Sequence, residues 1–208
     1  MRVALIDYGA GNLRSAARAL AEAGGNPVVT SSADGLAGVD FIVVPGVGAF
    51  APAMRRLTAA GLAGPLVDAA HRGVPLVGIC LGMQVLFERS EEGEPTPGLS
   101  LLRGTVRRLP ASVKVPHMGW NALEPRPGDP LFAGLAARPY VYFVHSYIAT
   151  PDDPGIVVAQ TEYGVRFASV VRQGRIWGLQ FHPEKSSRTG AAILRNLLAL
   201  IASGRELV

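Results

Sequence analysis

Cys80, the single cysteine of the chain, is the residue whose neighbours best suit a nucleophile. It lies in the middle of residues 78–82, which read G-I-C-L-G and follow a predicted apolar strand. Small residues on both sides of a nucleophile are typical of a strained strand-to-helix turn, where larger side chains would collide. A helix that starts there favours the thiolate, and the N–H of Leu81 is placed to hold an oxyanion. The pattern therefore favours acyl-transfer chemistry on an amide over a buried structural cysteine.

A thiol nucleophile also needs a base that holds the thiolate and returns a proton to the leaving group. Among the histidines, His71 lies at a predicted helix end, whereas His117 and His145 lie in predicted strands and can be core or site residues. His182 ends an apolar strand, and Glu184 follows two residues later, where a carboxylate can orient the imidazole. Spacing alone leaves two interpretations open for His182: the base, or a surface histidine beside an exposed glutamate.

Other kinds of site are disfavoured by residue spacing. Residues 9–11 (G-A-G) follow the first predicted strand, but Arg14 stands where a dinucleotide-binding loop needs its third glycine. There is one cysteine and no H-x-x-x-H pair, so we expect no metal and no cofactor. Residues 45–48 (P-G-V-G) lack the Gly-Lys-Ser/Thr of a phosphate loop. They predict either a plain turn or a wall of the site that supplies a second oxyanion N–H.

The candidate residues require a fold that brings distant segments together. The first half of the chain alternates apolar strands with helices: strands are predicted at residues 3–6, 27–30, 41–44 and 74–79, and helices at 12–23, 52–57, 65–71 and from 83 to 88. The second half predicts strands at residues 104–109, 118–123, 140–149, 156–161, 167–172 and 176–181, then a helix at 190–202. This pattern predicts an α/β fold with a flavodoxin-like, mostly parallel sheet, flanking helices and added antiparallel strands.

Ligands of such sheets bind at the carboxyl ends of the strands. Three predicted strand ends carry the residues discussed above: residues 45–48, 79–82 and 181–184. We therefore expect these three segments to meet.

The composition limits the functional classes. With 208 residues, 49% of them hydrophobic, the chain can build one large core, and we expect a single domain over residues 1–208. The net charge of +4 is spread without a basic run, which disfavours nucleic-acid binding. The longest apolar stretch, residues 74–87, is too short to span a bilayer. A lone cysteine forms no intramolecular disulfide, which favours a reducing compartment. From the charge, the apolar stretch and the cysteine together, we expect a soluble, cytoplasmic protein without nucleic-acid or membrane partners.

Three sequence blocks resemble the triad (class I) glutamine amidotransferases and occur in that family's order: residues 45–48 (P-G-V-G), 78–84 (G-I-C-L-G-M-Q) and 178–184 (G-L-Q-F-H-P-E). The resemblance implies that Cys80 attacks the side-chain amide of glutamine. It also implies that His182 protonates the leaving ammonia and then activates water, while Glu184 orients His182.

The same resemblance implies which residues surround the substrate. Positions that hold glutamine in the family correspond to Gly48, Leu81, Gln84, Ser146 and Tyr147. The oxyanion hole corresponds to the N–H of Leu81 together with one from Val47 or Gly48.

Within the family, further blocks resemble the glutaminase subunits of imidazole glycerol phosphate synthase, which act in histidine biosynthesis: residues 7–12 (D-Y-G-A-G-N), 45–50, 115–121 (V-P-H-M-G-W-N), 145–147 and 183–186. This resemblance implies a heterodimer with a (β/α)₈ cyclase subunit that receives the ammonia. The expected partner face carries Asn12, Trp120, Tyr140 and Lys185.

Two other functions remain as alternatives. A redox or chaperone protein could carry a reactive thiol on the same turn, but Gln84 and the His182–Glu184 pair argue against it. A hydrolase of γ-glutamyl peptides could use the same three residues without an ammonia partner, but residues 116–121 argue against that function.

Overall fold

The computed structural model describes residues 1–204 as an α/β fold built on three sheets, and the end of the expected domain, residues 205–208, lies outside the described residues. The strands are β1 (Arg2–Ile6), β2 (Asn26–Thr30), β3 (Phe41–Val44), β4 (Leu76–Ile79), β5 (Phe87–Ser90), β6 (Thr96–Pro97), β7 (Leu102–Arg108), β8 (His117–Ala122), β9 (Glu124–Pro125), β10 (Tyr140–His145), β11 (Tyr147–Pro151), β12 (Val157–Glu162), β13 (Arg166–Gln173) and β14 (Ile176–Leu179). The α-helices are α1 (Leu13–Glu22), α2 (Phe50–Ala59), α3 (Ala63–His71), α4 (Leu81–Gln84) and α5 (Ser187–Ser203).

The largest sheet has the strand order β2-β1-β3-β4-β14-β13-β12-β9. Its first five strands are parallel and follow the flavodoxin-like order, with β14 in the fifth position. The remaining strands are antiparallel, and a tight hairpin joins β13 to β14 through Gly174, whose φ is 55°. The predicted fold class is confirmed.

Both faces of this sheet are covered by helices, as the continuous apolar strands predicted. Successive residues of β1 point to opposite sides: Val3 packs into a core with α1 and α5, whereas Ala4 packs into a second core with α2 and α3. The helices contribute buried leucines such as Leu20 and Leu197 on one side and Leu57 on the other.

The pairing of β4 with β14 decides where the site forms. Leu179 lies beside Ile79 in this parallel pair, so both strands end at the same edge of the sheet. The segments that follow, Cys80 from β4 and residues 180–184 from β14, therefore leave the sheet side by side.

Two predicted elements were wrong. The helix predicted from residue 83 to 88 is the single turn α4, and the chain continues as β5 in a four-stranded sheet of order β11-β7-β5-β6. Val85, Leu86 and Phe87 are all buried, and a short apolar run without a polar face does not distinguish a helix from a strand. The strand predicted over residues 140–149 is divided at Ser146 into β10, which pairs with β8, and β11, which pairs with β7.

Within residues 1–204, no helix has the length and apolar character that crossing a membrane requires. The same residues contain no group of three or more His, Cys, Asp or Glu side chains arranged to hold a metal ion.

Candidate active site

Cys80 sits on a strained turn between β4 and α4. Its φ of 55° and ψ of −111° are unusual for a residue with a side chain, and its N–H donates to the Leu179 carbonyl at 2.7 Å. Strain of this kind persists only where surrounding contacts hold it, and it aims the side chain away from the strand. Because α4 has a single turn, the expected contribution of a helix dipole to the thiolate is small.

The glycines around Cys80 are required by close contacts. A Cβ on Gly78 would lie 2.4 Å from the Gly82 oxygen, and a Cβ on Gly82 would lie 1.8 Å from the Val44 oxygen. A Cβ on Gly46 would lie 2.7 Å from the Gly82 nitrogen, so the loop after β3 packs directly on the start of α4. The steric explanation of the G-x-C-x-G pattern therefore agrees with the structure.

Residues 45–48 form one wall of the site, and a hydrogen bond from Tyr8 holds them in place. The Tyr8 hydroxyl donates to the Pro45 carbonyl at 2.7 Å, and burial raises the pKa of Tyr8, which keeps the hydroxyl a neutral donor. On the other wall, the N–H of Leu81 is the first of α4 and has no acceptor among residues 1–204. Gly48 has a φ of 102°, which favours glycine in this loop.

His182 and Glu184 are a buried pair. His182 Nδ1 lies 2.8 Å from Glu184 Oε1, and the exposed fractions of the two side chains are 2% and 6%. A short turn over Pro183–Lys185 holds the pair, and the Ser186 hydroxyl closes this turn by donating to the His182 carbonyl at 2.7 Å. The surface-histidine interpretation of His182 is therefore wrong.

The environment of His182 favours its charged form. Burial lowers the pKa of His182, but the interactions with Cys80 and the hydrogen bond and charge of Glu184 raise it more, to about 9. Nδ1 is occupied by Glu184, while Nε2 is buried and has no hydrogen-bond partner among residues 1–204. Nε2 is thus the ring atom left to exchange a proton with Cys80.

The other histidines differ from His182. His117 and His145 form a buried pair with Nδ1 and Nε2 3.1 Å apart, and burial lowers their pKa values to about 4 and about 3. Neutral imidazoles of this kind are structural donors and acceptors, although His145 also borders the cavity beside Cys80. His71 is exposed at the end of α3, as predicted.

A cavity of about 410 Å³ opens beside Cys80. Its walls come from the loop after β3, from α4 and from the junction of β10 and β11, and the lining residues are Val47, Gly48, Cys80, Leu81, Gln84, Glu92, Pro116, Val144, His145, Ser146, Tyr147 and Lys185. This volume suits a ligand of amino-acid size.

Comparisons with known proteins identify the family. The profile of "Glutamine amidotransferase class-I" matches residues 4–200, nearly the whole chain. The chain belongs to the class-I glutamine amidotransferase family. It is 49% identical to imidazole glycerol phosphate synthase subunit HisH of Moorella thermoacetica, covering 96% of this chain and 95% of the relative. It is 51% identical to the protein of the same name from Deinococcus radiodurans, covering 93% of this chain and 91% of the relative.

Solved structures show the same fold. A crystal structure of a glutamine amidotransferase covers 96% of this chain and 98% of its own, with a TM-score of 0.76 and 23% identity. The structure of PurLQS from Thermotoga maritima covers 95% and 97%, with a TM-score of 0.74 and 22% identity.

The amidotransferase fold brings the predicted glutamine-binding residues to one cavity. All five positions, Gly48, Leu81, Gln84, Ser146 and Tyr147, line the space beside Cys80. The amide of Gln84 is held firmly, since its Nε2 donates to the Tyr147 carbonyl at 2.9 Å and to Gln180 Oε1 at 3.1 Å. Its oxygen is therefore left as the acceptor.

Glu92 is a cavity residue that sequence reasoning missed. It lies in the acidic loop after β5, and its Oε2 accepts the N–H of Phe50 at 2.8 Å. Its own N–H is bound by the Ser90 hydroxyl at 3.1 Å. An acidic residue in a Pro/Gly-rich segment resembles a solvated loop, and only folding against the start of α2 turns it toward the cavity.

The expected partner-face residues lie on two neighbouring parts of the surface. Trp120 and Tyr140 are 52% and 59% exposed on the outer face of the β8–β10 ribbon. Lys185 joins them, with its Nζ 5.9 Å from the centre of the Tyr142 ring. Asn12 is exposed, and its Oδ1 accepts the N–H of Ser15 to cap α1.

Proposed function

We propose that this amidotransferase is the glutaminase subunit of an imidazole glycerol phosphate synthase. It hydrolyses glutamine and passes the ammonia to a cyclase subunit. The main support is the convergence of the strained Cys80 and the buried His182–Glu184 pair at the end of the paired strands β4 and β14. The names of the relatives at 49% and 51% identity support the synthase assignment.

The first half of the proposed reaction forms a thioester. The Cys80 thiolate attacks the amide carbon of glutamine, and the carbonyl oxygen becomes an oxyanion held by the N–H of Leu81 and one from Val47 or Gly48. His182, whose pKa of about 9 keeps it protonated near neutral pH, gives its proton to the leaving nitrogen. Neutral ammonia departs, and the glutamyl thioester remains on the sulfur.

The second half releases glutamate. The imidazole of His182, now neutral, takes a proton from a water molecule, which attacks the thioester carbon. The C–S bond breaks, glutamate leaves, and Cys80 returns to the thiolate beside the imidazolium. Glu184 keeps Nδ1 engaged at 2.8 Å, so that Nε2 faces the reacting atoms in both halves.

Substrate recognition follows from the charges of the cavity. Free glutamine carries an ammonium group, and Glu92 supplies a carboxylate whose Oε2 accepts the N–H of Phe50, while its main-chain N–H donates to the Ser90 hydroxyl. On the α4 side, Gln84 presents its side-chain oxygen as an acceptor, because its Nε2 already donates to the Tyr147 carbonyl and to Gln180. We propose that Glu92 binds the ammonium group of the substrate and that the Gln84 oxygen accepts a hydrogen bond from an N–H of the substrate.

The partner is proposed from the exposed ribbon face, which we define as Met118, Trp120, Tyr140, Tyr142 and Lys185. Met118 and Trp120 are 65% and 52% exposed, and large apolar side chains of this kind are typical anchors of protein interfaces. The face adjoins the turn that holds His182. Because ammonia in neutral water is mostly protonated and unreactive, a docked cyclase must receive it through a route closed to solvent. Because the Cys80 thiol must stay reduced to react, we propose that the protein acts in the cytoplasm. We also propose that the chain forms a single amidotransferase domain.

A glutaminase assay with and without the cyclase subunit tests the proposal. We expect low glutamate release from the chain alone and strong stimulation in the complex. Cys80→Ser is expected to remove activity in both states, because a hydroxyl forms the nucleophilic anion much less readily than a thiol. Equal activity with and without the cyclase would contradict the coupled function and favour a free-standing hydrolase.

Trp120→Ala tests the ribbon face. We expect weaker binding of the cyclase by about 2 kcal/mol and reduced stimulation, measured by calorimetric titration and by the glutaminase assay. Val29→Ala is the matched control, because Val29 is 48% exposed on the edge strand β2, away from the ribbon. Unchanged affinity in Trp120→Ala would show that the partner binds elsewhere.

A further inference from the structure

Gln180 is a buried amide that the reaction described above does not use. It follows β14, two residues before His182, and none of its surface is exposed. Its N–H donates to the Ser169 carbonyl at 2.9 Å, which fixes its backbone against β13. A fully buried side-chain amide is unfavourable unless its polar atoms are bonded, so its partners are informative.

Both ends of this amide have partners in the site. Gln180 Oε1 accepts from Gln84 Nε2 at 3.1 Å, and Gln180 Nε2 donates to the Cys80 sulfur at 3.8 Å. The 3.8 Å between Gln180 Nε2 and the sulfur would be long for a hydrogen bond between nitrogen and oxygen, but it falls in the range of hydrogen bonds to the larger sulfur atom. A thiolate is a stronger acceptor than a thiol, because bonds to a charged group are stronger than bonds between neutral groups.

The orientation of the amide follows from a carbonyl that can only accept. Gln84 Nε2 lies 2.9 Å from the Tyr147 carbonyl, so the nitrogen of Gln84 must face that side. The same carbonyl lies 3.0 Å from His145 Nδ1, which must therefore carry its proton there. With Gln84 donating, Gln180 has to present its oxygen to Gln84 and its NH₂ group to Cys80.

Cys80 thus lies between an acceptor and a donor. In the thiol form, the S–H donates to the Val144 carbonyl at 3.8 Å, and in the thiolate form the sulfur can accept from Gln180. We propose that Gln180 is a further catalytic residue, whose amide N–H stabilises the Cys80 thiolate and whose orientation is set through Gln84 and the Tyr147 carbonyl. This inference deepens the proposed glutaminase function and rests on it.

The test measures the sulfur directly. The rate at which iodoacetamide alkylates Cys80 is followed against pH in the full chain, and the midpoint of the profile reports thiolate formation. Gln180→Met keeps a similar volume without a donor, and we expect its midpoint at higher pH by about one to two units, equivalent to the loss of one hydrogen bond to a charged group. In the glutaminase assay with the cyclase, kcat is expected to fall about tenfold or more while KM changes little.

Two further variants make the result decisive. Gln180→Asn keeps an amide but is one methylene shorter, so the contact with sulfur is lost and the midpoint should move in the same direction. Ser169→Ala is the control: it removes a buried hydrogen bond of 2.7 Å to Thr161 from the strand beside Gln180 without touching Cys80, and its profile should match that of the unmodified chain.

An unchanged midpoint in either folded Gln180 variant would overturn the proposal, as would an equal shift in Ser169→Ala. Folding of each variant is checked by circular dichroism. Because alkylation needs no glutamine, the test still decides the role of Gln180 if the glutaminase function fails, so the two failures are distinguishable.

Discussion

Glu184→Gln separates the charge of Glu184 from its orienting role. The Oε1 atom that contacts His182 Nδ1 at 2.8 Å is retained as an amide oxygen, and the second oxygen, which has no hydrogen-bond partner in the described part of the chain, is replaced by NH₂. The substitution therefore keeps an acceptor for Nδ1 but removes the negative charge beside a buried imidazole.

The expected magnitude follows from the pKa of His182. A rise from 6.5 to about 9 corresponds to roughly 3 kcal/mol in favour of the imidazolium, which is the net of burial, which lowers the pKa, and of the interactions with Cys80 and Glu184, which raise it. Because this pKa is raised, the protonated form is present below it, and activity that needs a proton donor is lost as the pH rises through about 9. Without the charge of Glu184, we expect the alkaline loss to begin about one pH unit lower. At neutral pH we expect kcat/KM to fall about 10- to 100-fold, the equivalent of one charged hydrogen bond.

The measurement is kcat/KM for glutaminase in the cyclase complex from pH 6 to about pH 10. The ammonium of free glutamine also titrates in the alkaline range, but equally for both enzymes, so only the difference between the two profiles is assigned to His182. Glu162→Gln is the control, since Glu162 is half-exposed and paired with Arg166 on the surface. If kcat/KM of Glu184→Gln falls at the same alkaline pH as kcat/KM of the unmodified enzyme, the argument that Glu184 keeps His182 charged is refuted.

Three further predictions concern other parts of the structure. Gly82→Ala places a Cβ 1.8 Å from a main-chain oxygen of β3, so we expect a loss of about 3 kcal/mol in urea unfolding and no glutaminase activity. The control is Gly64→Ala: apart from its chain neighbours and the backbone of its own helix, no atom of residues 1–204 lies within 4 Å of the new Cβ, so this variant should be neutral or stabilising. Arg172→Met leaves the buried carboxylate of Asp129 without its partner at 3.0 Å and should cost about 3–5 kcal/mol in the same assay, with activity per folded molecule retained. Glu92→Gln should raise KM about tenfold with kcat little changed, because it removes a charged contact to the substrate ammonium; an unchanged KM would exclude Glu92 as the ammonium site.

The parallel half of the fold was predictable because its signals are local. Apolar runs such as Phe41–Val44 end at proline and glycine, and they are buried on both faces as predicted. The glycines at 78 and 82 could be interpreted from sterics alone, since the collisions that exclude a side chain involve residues close in sequence or the adjoining strand.

The errors arose where an apolar run has no polar face or where the chain changes sheets. Residues 85–87 are buried on every side, so their composition does not distinguish a helix from the strand that forms. The division of residues 140–149 at Ser146 depends on two different partner strands, β8 and β7, which no pattern within the segment indicates.

The sequence by itself determined that Cys80 lies on a strained turn and has the surroundings of a nucleophile, because short-range sterics require small neighbours there. Only the tertiary structure decided that His182 is a buried imidazole bonded to Glu184 rather than a surface residue. It also placed Gln180, a hundred residues away in sequence, against the Cys80 sulfur and turned Glu92 into the cavity. Burial, charge and hydrogen bonding at these positions are set by strands that pair across the sheet. Residue spacing along the chain does not predict which strands pair.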